Sequence, residues 1–300
     1  MADQLIRATA AEGGIRAVGV MTTQLTQEAR RRHKLSDVAV AALGRTMSAS
    51  LLLASSMKQP QARVTIRVRS EGELGLIFAD AGTDGTVRGY VDNPNVQLPP
   101  NADGEPDIAK AVGHEGFLHV LKDVGYGQPY SSTVELVTGA INEDVSYYLS
   151  SSEQTPSALL SGVYVDRTGV TAAGGLLLQI MPKAARDDSL IAVLESRVSG
   201  LSSFGRLLNE GKSLEEILQD VLGDLSLEIL PKPQTLRFQC RCSFDRVLGA
   251  LKMLGEAELK DMIVKDRGAE AICHFCAEVY HADSNQLEQI ILKLKAEAIA

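Results

Sequence analysis

The chain has 300 residues, 45% hydrophobic and 23% charged, which is room for two globular domains, one with a large core and one smaller. Aromatics make up only 4% and Trp is absent, so there is little with which to stack bases or sugar rings. A formal charge of −8 and a pI near 5.3 run against nucleic-acid binding, whose affinity comes largely from neutralising phosphates.

In chain order, the opening residues Met1-Ala2-Asp3-Gln4-Leu5-Ile6-Arg7 carry neither a positive n-region nor an apolar h-region, so no targeting segment is expected. The basic run Arg30-Arg31-Arg32-His33-Lys34 lies between two helical patterns and reads as a solvated helix end. Asp37 to Met57 is the most apolar stretch, yet it contains Arg45 and several serines and falls short of the ~18 uninterrupted apolar residues of a membrane span. It reads as a buried Ala/Leu-rich helix. The expectation is a cytoplasmic protein with no membrane and no nucleic-acid partner, in a compartment where thiols stay reduced.

Ala62 to Arg69 alternates apolar and polar residues, the mark of a half-buried strand. Strands are also expected at Gly75 to Phe78 and Thr86 to Val91, joined by the turn Asp80-Ala81-Gly82-Thr83-Asp84-Gly85. Further strands are expected around Phe117 to Leu121, Ser132 to Leu136 and Gly175 to Ile180, with a short helix at Asn142 to Ser151. Strand and helix do not alternate regularly, which argues for an α+β fold over a doubly wound sheet. From Asp187 to Leu222 apolar residues recur at helical spacing, interrupted at Gly211-Lys212-Ser213; Ser213 and Glu216 have capping-box spacing for a second helix. Pro231-Lys232-Pro233 marks a boundary. The reading is an N-terminal mixed core domain over 1–181, a helical linker over 182–230 and a small C-terminal cysteine domain over 231–300.

All four cysteines lie beyond that boundary: Cys240-Arg241-Cys242, thirty intervening residues, then Cys273-His274-Phe275-Cys276. Two close pairs in an otherwise cysteine-free chain point to a tetrahedral zinc site. Residues two apart on an extended segment project to one side, and Cys-x-x-Cys suits a tight turn. Four thiolates leave no coordination position for water, which favours a structural or regulatory ion over a catalytic one. His274 and His281 are expected to sit exposed beside it. Arg237, Arg241 and Arg246 flank the first pair, and cations near thiols favour the reactive thiolate. On these residues alone, a redox switch and a permanent structural zinc both remain open. Loss of the metal is expected to unfold so small a domain and bare Val247, Leu248, Leu251, Met253, Leu254, Met262, Ile263 and Val264.

Other motifs fail on spacing. Gly205 and Gly211 are separated by five residues where a phosphate loop needs four, and the two histidines of His114 to His119 are one residue too far apart for a metalloprotease helix. Ile272 stands where a zinc deaminase carries Pro, and no Gly-x-Ser-x-Gly elbow is present. No enzyme is expected. A zinc-stabilised adaptor and a thiol–disulfide oxidoreductase using Cys273 and Cys276 are the competing readings.

The cysteine pattern resembles that of the heat shock protein 33 family, the redox-regulated holdase chaperones. His33, Ala42-Leu43-Gly44-Arg45, Val87-Arg88-Gly89-Tyr90, Ser152-Glu153-Gln154-Thr155-Pro156, Gly174-Gly175-Leu176-Leu177-Leu178-Gln179 and Gly268 to Cys276 extend the resemblance over nearly the whole chain. The resemblance implies one zinc ion on Cys240, Cys242, Cys273 and Cys276 in a reduced, inactive state. It implies that oxidation forms the redox-active disulfides Cys240–Cys242 and Cys273–Cys276, releases zinc and unfolds the C-terminal domain. It further implies that the linker loosens and that unfolding client proteins are then held without ATP by a homodimer.

Overall fold

In β1 (Gln4–Ala10) and β2 (Ile15–Met21) apolar side chains leave both faces, because the sheet they begin is covered on both sides. Leu5, Val18 and Val20 enter one core, whereas Ile6, Ala8, Ile15, Ala17 and Met21 enter another. The structure, a computed structural model, describes residues 2–201 and 203–299. Its Cα packing divides the chain into two units, Met1–Gln239 and Cys240–Ala300.

The basic run ends α1 (Thr23–His33), where Lys34 takes the left-handed conformation. The expected solvated end holds only in part: Arg31 and Lys34 are exposed, whereas Arg30, Arg32 and His33 are half-buried, with Arg31 and Arg32 on Glu28 and Arg30 on Asp37. Next comes α2 (Asp37–Ala54), whose N-terminus is capped by the Ser36 side chain. Its length and composition would allow a membrane crossing, but 89% of it is buried inside the fold. Its side chains form the centre of the first core.

The second sheet starts with β3 (Arg63–Ser70), β4 (Leu76–Gly82) and β5 (Thr86–Val91), then, after α3 (Ile108–Val112), β6 (Gly116–Asp123) and β7 (Tyr130–Glu135). The alternation is as expected: Val64, Ile66 and Val68 point into the core. Asp80 corrects the sequence reading. It lies within β4 rather than in the turn, because its carboxylate accepts from Arg63 Nε at 3.0 Å and Arg88 Nε at 3.0 Å on the neighbouring strands. Then follow α4 (Asn142–Ser151), β8 (Ser157–Asp166) and β9 (Gly169–Ile180). Asp144 of α4 is fully buried and organises the loop before the helix, accepting the N–H groups of Val137, Thr138, Gly139 and Ile141.

The helical run after Pro182 is a second correction. It contains three helices, α5 (Asp188–Ser199), α6 (Phe204–Asn209) and α7 (Leu214–Leu222), broken at Gly200 as well as at Gly211. The extra break lets α6 turn and seat Phe204, Leu207 and Leu208 on the first sheet. Ser202 lies outside the described residues. The capping box is formed: the Ser213 N–H reaches the Glu216 carboxylate at 2.8 Å and the Glu216 N–H reaches Ser213 Oγ at 3.2 Å. Short strands β10 (Glu228–Ile229), β11 (Gln234–Thr235) and β12 (Arg237–Phe238) complete this unit.

The first sheet runs β10-β1-β2-β9-β8, with β11 also on β1; the second runs β12-β5-β4-β3-β6-β7. All pairings are antiparallel except β12 on β5. Under α6 the first sheet has a floor without side chains. Gly162 and Gly174 are cross-strand partners, and a Cβ on Gly162 would stand 2.2 Å from the Gly205 backbone nitrogen. A Cβ on Gly174 would stand 2.7 Å from Leu208 Cδ1. The helix therefore rests on backbone, a contact that only glycine permits.

The second unit holds α8 (Phe244–Lys252), α9 (Glu256–Asp266), the hairpin β13 (Gly268–Ile272) and β14 (Val279–Asp283), and α10 (Ser284–Ile299). Its core is small: Leu251, Leu259, Ala282, Leu287, Ile290 and Ile291 are buried. Mixed sheets with helices, followed by a small cysteine-bearing unit, make the α+β class plain.

Candidate metal centre

β12 leads into the first cysteine pair. The Arg237 N–H donates to Gly85 O at 3.0 Å and the Gln239 N–H to Val87 O at 2.9 Å, and the next residue is Cys240. Cys240 to Cys242 is extended, and Ser243 then caps α8, its Oγ accepting from the Arg246 N–H. The second pair occupies the turn of the β13–β14 hairpin. The Cys273 N–H reaches Glu278 O at 2.8 Å, the Ala277 N–H reaches Cys273 O at 2.8 Å, and Ala277 takes φ +56 to close the turn.

The four sulfurs converge within 4.8 Å of one another. Cys240 Sγ lies 3.7 Å from Cys273 Sγ, and Cys242 Sγ lies 3.4 Å from Cys276 Sγ. A tetrahedral ion with Zn–S bonds near 2.3 Å holds its sulfurs about 3.8 Å apart, so the donor set and its spacing fit zinc. Cys276 is buried and the other three are half-buried. Among the described residues, no other group of His, Cys, Asp or Glu could hold a metal ion in this way. His274 and His281 are exposed, as expected.

The thiols of the second pair, Cys273 and Cys276, are shifted by their surroundings. Burial, not charge, dominates: it pushes the Cys276 thiol well above its usual range, with the facing sulfurs adding to the shift, and raises Cys273 as well. No arginine contributes to either shift. Burial thus favours the protonated form of these two thiols, and a bound divalent ion would be what holds them as thiolates. The residues expected to be bared on unfolding need correcting in part. Met253, Leu254 and Val264 are 87%, 49% and 80% exposed already; Leu251 is buried and Val247, Leu248, Met262 and Ile263 are half-buried against the same core, as expected, and Leu259, Leu287, Ile290 and Ile291 join the apolar surface held back.

Sequence reasoning missed Tyr280. On β14, its hydroxyl donates to Cys242 Sγ at 3.1 Å, and its ring stacks on Phe244 with centroids 6.3 Å apart. The hydrogen bond to that sulfur raises the phenol above its usual pKa. Its place four residues beyond Cys276 was the available signal.

A mixed two-sheet unit followed by a small unit with four clustered thiols defines a class of two-part, cysteine-bearing proteins, and comparison with known proteins makes the assignment specific. The family model described as Hsp33 protein matches residues 3–283. A 33 kDa chaperonin of Cyanothece sp. is 66% identical over 298 residues, covering 99% of either chain. Its counterpart from Synechocystis sp. is 67% identical over 297 residues, covering 99% of this chain and 98% of that one. The crystal structure of the 33 kDa chaperonin of Thermotoga maritima superposes with a TM-score of 0.89 at 32% identity, over 99% of this chain and 100% of the other. The chain belongs to the Hsp33 family, a family of chaperones and not of enzymes.

Proposed function

We propose that the chain is a redox-switched, ATP-independent holdase whose resting state is tied by one zinc ion on Cys240, Cys242, Cys273 and Cys276. The convergence of these four sulfurs carries the reading. Bound zinc would supply structural binding energy, about 10–16 kcal/mol in small zinc-folded peptides. The second unit, with six buried apolar residues, has little else to hold it.

Activation is oxidation. A cysteine thiolate attacks hydrogen peroxide, the O–O bond breaks, hydroxide leaves and a sulfenic acid forms. The neighbouring thiolate displaces the sulfenic oxygen as a second hydroxide and closes an S–S bond, a two-electron oxidation for each pair. The pairs are Cys240–Cys242 and Cys273–Cys276, as the family resemblance implies. Each disulfide removes two metal ligands, and the second unit loses its fold. With a core over 1–181, a linker over 182–230 and a zinc domain over 231–300, the linker helices then loosen and present apolar surface to unfolding client proteins. The same resemblance supports a homodimeric active form and a cytoplasmic setting.

The test treats reduced, zinc-loaded protein with peroxide at mild heat and follows zinc release, far-UV circular dichroism and suppression of client aggregation. All three change together and reverse with dithiothreitol. Chelating the metal from reduced protein likewise removes helix signal contributed by α8, α9 and α10. Zinc release without gain of anti-aggregation activity, or a second unit that keeps its fold with both disulfides closed, would overturn the proposal.

A further inference from the structure

We infer that Tyr280 is a positioning residue of the sulfur cluster, its hydroxyl holding Cys242 by an O–H···S hydrogen bond that restrains this sulfur's reactivity. The donor sits on the hairpin that carries Cys273 and Cys276, and the acceptor on the separate segment that carries Cys240 and Cys242, 38 residues away in sequence. The contact thus ties the two cysteine segments to each other independently of any metal. The ring is held in place: β14 pairs Tyr280 with Ala271, and Phe244, two residues beyond Cys242, stacks against it at 27°.

The donors around the cluster divide by type. Backbone N–H groups of Phe275 and Glu278 serve Cys273 and Cys276 as part of the turn itself. Cys242 receives its donor from a side chain, and a side chain is replaceable. A hydroxyl donates far more strongly to a thiolate than to a thiol, and not usefully to a disulfide sulfur, so the contact favours the reduced, ligating state. Donation into the sulfur lone pair lowers its nucleophilicity, the property that governs attack on peroxide and on alkylating agents. Outer partners of this kind also tune metal affinity, typically by about tenfold or more. The inference rests on the reading that the four sulfurs act as thiolates.

The experiment alkylates reduced, zinc-loaded full chain with iodoacetamide, in which the thiolate attacks the methylene carbon and iodide leaves, and maps the rate at each cysteine by peptide mass spectrometry. In Tyr280→Phe the rate at Cys242 rises about threefold to tenfold relative to Cys276 in the same chain. With cobalt(II) in place of zinc, the thiolate-to-metal charge-transfer band of this variant moves to longer wavelength, a signature that loss of packing alone does not produce. Global replacement of tyrosine by 3-fluorotyrosine, a stronger donor of nearly the same shape, slows alkylation at Cys242. That second arm decides the matter if the phenylalanine variant fails to hold metal. An unchanged rate at Cys242, a rise shared evenly by all four cysteines, or no slowing with fluorotyrosine overturns the inference. Each of these results is compatible with peroxide-driven zinc release and client holding, so failure here is distinguishable from failure of the switch.

Discussion

Adding one methyl group at Gly162 tests whether α6 is held by shape alone. A Cβ there would lie 2.2 Å from the Gly205 nitrogen and 2.7 Å from its Cα, where ordinary contact begins near 3.4 Å. Both partners are backbone, so no rotamer change relieves the clash, and α6 must lift by about 1 Å or more. Phe204, Leu207 and Leu208, 4%, 8% and 5% exposed, are anchored on the sheet by that same helix. Overpacking and partial loss of their burial together cost about 3 kcal/mol. For a unit of this size that lowers the unfolding midpoint by roughly 6–12 °C. Gly205→Ala is the matched control: its nearest obstacle is the Val163 nitrogen at 3.1 Å, which a shift of a few tenths of an ångström clears, so its cost stays below about 1 kcal/mol. Thermal unfolding by circular dichroism measures the stability difference. Light scattering of an aggregating client, with reduced protein and no peroxide, measures the function. Gly162→Ala is expected to hold client without oxidant and Gly205→Ala is not. A Gly162→Ala protein as stable as its parent, or two variants with the same effect, would refute the reasoning.

Asp144→Ala strands the four backbone N–H groups that its carboxylate accepts, one of them on Ile141 at φ +75, and is expected to cost about 3 kcal/mol by urea unfolding; a loss under about 1 kcal/mol would show that the loop finds other acceptors. The Arg31 hydrogen bond, joined by Arg32, lowers the Glu28 pKa from its ordinary 4.5 to about 2. The folded value is the depressed one, so this contribution to stability is whole above pH 4.5 and is lost as pH falls from there toward 2. Because both partners are partly in water, the effect on stability stays under about 1 kcal/mol; a carboxyl NMR titration of Glu28 with its midpoint near 4.5 would contradict the pairing.

What could be read ahead of the coordinates follows a physical division. β3 and α7 each bury one face, so Val64, Ile66 and Val68 at period two, and Leu214, Ile217, Leu218 and Val221 at helical spacing, announced themselves. β1 and β2 were invisible to the same test, since a strand covered on both sides shows no alternation, as Ile15 to Met21 illustrates. Asp80 misled because an acidic residue beside glycine resembles a turn, whereas two arginines from neighbouring strands hold it inside a sheet. The four cysteines were legible because their spacing reports chemistry directly. Tyr280 was not, since its role depends on a segment 38 residues away that only folding brings near.

The parallel pairing of β12 with β5 runs through the Gln239 amide, and the first sulfur belongs to the following residue. The ladder of the first unit therefore runs to its last residue, and the pairing of Arg237 and Phe238 has no frayed tail beyond it. Phe238 lies 5.6 Å beneath the Arg32 guanidinium of α1, so this two-residue strand is clasped by the first helix as well as by β5, and any tug that frees it must break both holds at once.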